Sequence, residues 1–237
     1  MIKMKDFIII KNILLVSTKE NKNLIDIPDL QFDKNSISVI MGHNGSGKTL
    51  LLNLLQGLIT PNSGSIRFNP QIKNCKNFIS IMMQKPTFLR RTTQQNIQFI
   101  LDLNKNKTRM SFLEVLERFD LVPQKNILAN KLSGGEKQRL SLALATSINS
   151  KILLLDEPTA NADPLTTFRI EKIIKEEASA GKKIILVTHS IAQAKRLGQD
   201  LIFINNGKVL EQNKATKFFT QSKTKEIVQF LKGEIIL

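Results

Sequence analysis

Gly42-His43-Asn44-Gly45-Ser46-Gly47-Lys48-Thr49 follows an apolar run, Ser36 to Met41, and opens a stretch with helical spacing, Lys48 to Leu58. Strand, glycine-rich turn and helix in that order decide the fold. The octet matches the phosphate-loop pattern G-x-x-x-x-G-K-[ST] at every fixed position. Its chemistry explains its spacing. Glycines let successive backbone N–H groups turn inward around phosphate oxygens, and a helix N-terminus adds partial positive charge. A lysine at position 48 reaches terminal phosphates, a threonine hydroxyl at 49 suits a Mg²⁺ ion, and Leu50 continues the first helical turn.

Working outward, apolar β-type runs precede the loop at Phe7 to Val16 and Leu24 to Phe32. Short strands follow at Ser65 to Phe68 and Phe78 to Met83. From Pro86 to about Lys131 helical spacing dominates, over Asn96 to Leu103 and Ser111 to Phe119. Alternation then resumes. Lys137 to Ile148 reads as a helix, Ile152 to Leu155 as a buried strand, Leu165 to Ala180 as a helix and Lys183 to Thr188 as a strand. Ile191 to Leu197 is a helix, and Asn205-Asn206-Gly207 is a hairpin signal between Leu201 to Ile204 and Lys208 to Glu211. The tail, Thr216 to Leu231, reads as one or two short helices. Alternating strands and helices imply a mostly parallel sheet covered on both faces.

The chain has 237 residues, enough for one compact unit with a subdomain. Its single cysteine, Cys75, excludes an intramolecular disulfide and fits a reducing compartment. No apolar run approaches the roughly 18 residues of a membrane helix, and Phe7 to Ile10 is too short for a signal segment. The net charge is +15. The lysines are scattered and there is no run of five basic residues, so compositional bias explains the charge better than a nucleic-acid footprint. The absence of Tyr and Trp gives stacking platforms little support, and no specific nucleic acid is expected.

A phosphate loop needs an acidic metal partner at the end of a buried strand. Ile152 to Leu155 is such a strand, and Asp156-Glu157 emerges at its C-terminal end, the edge where open α/β sheets bind ligands. Asp156 is placed to hold Mg²⁺ through water, and Glu157 to polarise an attacking water as general base. Leu132-Ser133-Gly134-Gly135-Glu136 is a capping box, Ser133 at the N-cap and Glu136 three residues on. Two glycines in that first turn weaken the helix by up to about 1 kcal/mol each relative to alanine. They make sense where a phosphate must approach the backbone.

Leu132 to Glu136, upstream of the Ile152 to Glu157 strand, resembles the signature motif of ATP-binding-cassette (ABC) ATPases. Further landmarks of that family fall in order. Gln84 resembles the Q-loop glutamine, Ala160-Asn161-Ala162-Asp163 the D-loop and His189 the switch histidine. The resemblance runs from about residue 24 to residue 212. It implies an α/β P-loop NTPase cassette with a mostly parallel core sheet, an N-terminal antiparallel β part and an inserted helical subdomain. The core would be residues 1–84 and 132–237 and the insertion residues 85–131. It implies ATP and Mg²⁺ as ligands, with Gly42 to Leu50 and Asp163 around the nucleotide and Thr49, Gln84 and Asp156 at the metal. Glu157, His189 and Gln84 would form the hydrolytic set. In the family two cassettes sandwich two ATP molecules head to tail, the P-loop of one facing Ser133, Gly134, Gly135 and Glu136 of the other. A C2 homodimer is therefore the default expectation.

The chain departs from the family pattern in three places. Most members stack adenine on an aromatic residue ahead of the P-loop, but Val16 to Lys19 has none, and Phe7 and Phe32 lie at other offsets. Weaker adenine selectivity follows, with aliphatic contact near Val16. Leu144 stands where an arginine is common, and Asn161 and Ala162 are variant D-loop residues. No hydrolytic position is missing, so an active ATPase is expected.

Pro86 to Thr92, Asn96-Ile97, Ala192 to Leu197 and Phe230 to Glu234 resemble segments of phosphate- and tungstate/molybdate-type importer cassettes. That implies a peripheral subunit on the cytoplasmic face of the cell membrane. It would be partnered by integral permease subunits and, indirectly, a solute-binding protein. Tungstate is the narrowest expectation. Two readings stay open beside it, a soluble ABC ATPase doing conformational work without transport and an exporter-type cassette.

Overall fold

A computed structural model describes residues 6–17, 22–34, 36–69, 78–103, 110–160 and 162–234. In chain order these form β1 (Asp6–Val16), β2 (Asn23–Asp33), β3 (Ile37–Met41), α1 (Lys48–Gln56), β4 (Ser63–Phe68) and β5 (Ile79–Met82). Next come α2 (Thr93–Leu103), α3 (Phe112–Arg118), a single 3₁₀ turn (Ala129–Lys131), α4 (Gly134–Ser147), β6 (Ile152–Asp156) and α5 (Pro164–Ser179). The chain continues through β7 (Lys183–Val187), α6 (Ile191–Leu197), β8 (Asp200–Asn205), β9 (Lys208–Lys214), α7 (Ala215–Gln221) and α8 (Lys225–Lys232). Cys75, Thr18, Lys19 and Asn161, which carry sequence-based expectations, lie outside the described residues. The chain divides into two compact units, Met1–Asn74 with Lys183–Leu237, and Cys75–Lys182.

The first unit holds two β layers. β2, β1 and β4 form an antiparallel sheet with β1 in the middle. Burial along β1 and β2 changes phase midway. Ile8 and Ile10 are buried before Asn12 and Ile13 after it, while across the ladder Ile25 and Ile27 precede Pro28, and Leu30 and Phe32 follow it. Asn12 supplies the switch with a left-handed φ of 49°, a conformation its short polar side chain tolerates. In the same unit β3 lies between β7 and β8, all parallel, and β9 returns antiparallel beside β8. Every residue of β3 and β7 is buried, as expected of parallel strands covered on both faces. Asn206 (φ 46°) and Gly207 (φ 74°) make the two-residue turn between β8 and β9, the left-handed pair that a tight hairpin requires.

The second unit pairs β5 with β6 in parallel, from Ile79 opposite Ile152 to Met82 opposite Leu155. Helices α2 to α5 surround buried Leu116, Leu140, Leu142 and Ile170. Arg118 ties the α3 end to α5 through Glu177 at 2.8 Å and Glu176 at 3.0 Å. Two helices start earlier than periodicity predicts. α2 begins at Thr93 rather than Asn96, because Thr93 N–H bonds the Ile127 carbonyl and opens the turn. α4 begins at Gly134 rather than Lys137, because the Ser133 cap outweighs the poor propensity of two glycines.

Candidate functional site

In the first unit, β3 delivers the chain into the glycine-rich loop. Gly42 has a φ of 149°, and a Cβ there would lie 2.1 Å from the Ile204 carbonyl oxygen of β8. Gly47, at φ 105°, would set a Cβ 2.8 Å from Ile25. These approaches hold the loop tightly on β8 and β2. The β8–β9 hairpin closes the arrangement. Gly207 N–H bonds the Ser46 carbonyl at 2.9 Å, while the Gly207 carbonyl accepts from Asp26 N–H at 2.9 Å.

Lys48 is buried, and its ammonium arches back over the loop to donate to the Gly42 carbonyl at 2.9 Å and the His43 carbonyl at 2.7 Å. The charge is thus held over the loop mouth before any ligand is considered. The N-cap of α1 is Gly47, with no side-chain cap and no acidic residue in the first turn, so its first N–H groups are left to other partners. Ser46 Oγ is buried with no hydrogen-bond partner among the described residues. A glycine cradle, an uncapped helix start, an orphan hydroxyl and a poised ammonium fit a polyphosphate. Asn44, Gly45 and Thr49 are exposed at this loop. His189 emerges beside it. β7 parallels β3 as far as Val187 opposite Ile40, and Thr188 N–H bonds the Ile40 carbonyl. His189 is exposed, and the next residue, Ser190, caps α6 through Gln193 N–H at 3.2 Å.

In the second unit, Gln84 and Glu157 each lie two residues past the last pair of the parallel β5–β6 ladder, Met82 opposite Leu155. Asp156 and Glu157 are buried, and Gln84 is exposed. Glu157 has a left-handed φ of 50°, uncommon for a residue with a long side chain and typical of functional turns. The segment after Gln84 is fixed by buried Asn96, whose amide donates to the carbonyls of Leu89, Arg91 and Thr92 while Oδ1 accepts from Leu89 N–H.

Leu132 is buried, and the capping box beyond it is complete. Ser133 Oγ accepts from Glu136 N–H, and Ser133 N–H bonds Glu136 Oε2 at 2.7 Å. Gln124 donates to the other Glu136 oxygen at 2.9 Å. The Ser133 N–H holds the Glu136 carboxyl below the usual range. Gly135 faces Asp163, and a Cβ on it would stand 3.4 Å from Thr166 Oγ1 and 3.7 Å from an Asp163 oxygen. Those are ordinary contacts, so the fold alone does not demand glycine there. Asp163 caps α5, accepting from Thr166 N–H at 2.9 Å and the Thr166 hydroxyl at 2.6 Å. The Thr166 hydroxyl and N–H keep its carboxyl below the usual range. The structure therefore brings Gly135 and Asp163 together.

The supporting residues carry no signature in the sequence. Gln124 on Glu136, Gly207 under Ser46, and the rings of Phe203 and Phe230 on His43 all act across long sequence separations with no local signal.

A strand–loop–helix phosphate cradle and a strand-end Asp-Glu pair define a P-loop nucleotide hydrolase. The profile of the ABC transporter family matches residues 25–160. The tungstate uptake system ATP-binding protein TupC of Peptoclostridium acidaminophilum is 36% identical over 193 residues, 79% of this chain and 90% of that protein. The phosphate import ATP-binding protein PstB of Malacoplasma penetrans (strain HF-2) is 32% identical over 228 residues, 87% of this chain and 79% of that protein. Among solved structures, the ATP-binding cassette MJ0796, in a dimeric post-hydrolysis state bound to ADP and Pi, aligns with a TM-score of 0.77 and 26% identity. That alignment covers 87% of this chain and 98% of the other. The chain belongs to the ABC transporter family, as an ATPase cassette.

Among the described residues no helix is long and apolar enough to cross a membrane.

Proposed function

We propose that the chain is the ATP-hydrolysing subunit of an importer, working as a head-to-tail pair of cassettes beneath separate permease subunits at the cytoplasmic membrane face. Tungstate or a related oxyanion is the proposed solute. The observation that carries this reading is the combination of an intact nucleotide loop with 36% identity to a tungstate-uptake ATP-binding protein along 90% of that protein's length.

The roles follow from the residues. Backbone N–H groups of Gly42 to Thr49 wrap the phosphates, and Lys48 moves its ammonium from the Gly42 and His43 carbonyls to the β- and γ-phosphate oxygens. The Thr49 hydroxyl, the Asp156 carboxylate and the Gln84 amide are oxygen donors only, a set that suits Mg²⁺. Bound there, that ion neutralises charge developing on the phosphates. Glu157 takes the proton of the attacking water, and His189 orients Glu157 and contacts the γ-phosphate. Ser133, Gly134 and Gly135 serve the nucleotide of the partner cassette. The room left at Gly135 supports this, because the glycine is explained by a ligand approaching from outside rather than by packing. Residues 85–131, with the Asn96-locked segment after Gln84, form the inserted helical part that receives the permease.

The test is capture of tagged Glu157→Gln protein from detergent-solubilised membranes in MgATP. A polytopic permease in the eluate supports transport, and its solute-binding partner is then titrated with tungstate, molybdate and phosphate. Soluble partners with no permease contradict it.

A further inference from the structure

His43 contributes more than backbone to the phosphate loop. Its ring meets Phe230 of α8 edge to face at 5.1 Å between centroids, and Phe203 of β8 at 6.5 Å. The two phenylalanines meet each other at 5.2 Å. Phe203 is fully buried and Phe230 is 8% exposed, so this trio is packed on both sides. His43 Nε2 is buried with no hydrogen-bond partner among the described residues, leaving the ring held by aromatic contact rather than by a polar anchor.

The same residue's carbonyl receives the Lys48 ammonium at 2.7 Å. The preceding residue, Gly42, is pinned against the Ile204 carbonyl, next to Phe203. The entry of the loop is thus gripped from below by β8 and from the side by α8. α8 is suited to this task. It buries only Ile227 and Phe230, and it ends in a left-handed Gly233 cap whose N–H returns to the Gln229 and Phe230 carbonyls.

We infer that Phe230 is a positioning residue for nucleotide binding. Its ring on His43 fixes the peptide whose carbonyl holds Lys48, so α8 keeps the loop organised before ATP arrives. A loop ordered in advance loses less conformational entropy on binding. Removing the ring frees His43 and transfers that ordering cost to the nucleotide. The effect falls on affinity rather than on the chemical step, since Phe230 touches none of the groups that move protons. The inference rests on the phosphate-loop reading above.

The experiment measures binding of a fluorescent ATP analogue, and KM and kcat for ATP, in full-length variants. Phe230→Leu keeps the apolar bulk of α8 and removes the ring. Affinity is expected to weaken about two- to thirteenfold, the equivalent of the about 0.5–1.5 kcal/mol of an edge-to-face pair, with KM raised in step and kcat changed less than twofold. Phe230→Tyr, which keeps the ring, restores the wild-type affinity. Ile227→Ala, a buried position on the same helix, lowers the melting temperature and leaves KM alone. Combining His43→Ala with Phe230→Leu adds little to either single change, because both break one contact. Wild-type affinity in Phe230→Leu overturns the inference, as does an equal loss in Ile227→Ala. Lys48→Ala separates this from the underlying reading. If Lys48→Ala loses nucleotide while Phe230→Leu does not, the loop stands and the α8 coupling falls. If Lys48→Ala binds as wild type does, the loop reading itself falls.

Discussion

Lys183 begins β7 with its side chain fully buried, and replacing it with methionine alters how stability depends on pH. Its ammonium donates to the Ser36 carbonyl and the Ser36 hydroxyl, both at 2.8 Å, and to the Ser38 hydroxyl at 2.7 Å, which in turn donates to Asp200 at 3.3 Å. Burial pushes the ammonium down from 10.5 to about 7, against the carboxylates of Asp200 and Asp33 and with help from Lys214. The folded value lies below the unfolded one, so between the two the unfolded chain binds more protons. Stability therefore rises with pH across that window and is lost as pH falls toward 7. At 1.36 kcal/mol per unit the full span amounts to roughly 5 kcal/mol as a ceiling. From pH 7.5 to 9.5 the share is about 2 kcal/mol, or roughly 4–8 °C in melting temperature for a chain of this size. Methionine keeps the apolar stem and cannot titrate. Thermal unfolding of wild type and Lys183→Met, followed by circular dichroism at pH 7.5, 8.5 and 9.5 and constant ionic strength, isolates the effect as a difference in slope. The wild type gains on the variant as pH rises, whatever their absolute stabilities. Parallel lines would mean that Lys183 carries no depressed titration in the folded chain.

Other outcomes follow from the site. Gly42→Ala forces a Cβ to within 2.1 Å of the Ile204 carbonyl, so it is expected to destabilise by about 2–3 kcal/mol and to abolish binding of the fluorescent ATP analogue; a stable, binding-competent variant contradicts the packing account. Lys48→Ala is expected to lower nucleotide affinity at least tenfold, since the charge-assisted contacts proposed for its ammonium on the phosphates, at about 1.5–3 kcal/mol each, are lost; isothermal titration with ATP checks it. ATP and GTP are expected to turn over at similar kcat/KM, because no aromatic residue stands in Val16 to Lys19 to stack on the base. A strong ATP preference means another residue reads adenine.

What could be read from the chain follows the range of the interaction. Ile152 to Leu155 is apolar at every position and buried at every position, so its strand and the acidic pair at its end were legible. The same holds for the glycine-rich octet and for Asn206-Gly207, whose conformations are decided within a few residues. The phase switch in β1 was not legible. Phe7 to Val16 looks like one continuous strand, and only the left-handed Asn12, with Gly64 packed on its carbonyl, shows that the two halves face opposite ways. α4 starts at Gly134, three residues ahead of its apolar periodicity, and the Ser133–Glu136 capping box legible in the sequence is the local signal that marks the start. The seating of His43 between Phe203 and Phe230, and the facing of Gly135 and Asp163, join residues that are distant in sequence. Nothing near either partner announces the other.

Glu157 is proposed to drive ATP hydrolysis in a sandwich of two cassettes. The most direct test follows Glu157→Gln and wild type side by side in MgATP, measuring phosphate release and mass by light scattering. Removing a general base is expected to slow turnover about 10²–10⁴-fold while the variant still binds ATP and accumulates as a dimer. Wild-type turnover by Glu157→Gln, or a protein that binds ATP and stays monomeric, contradicts it.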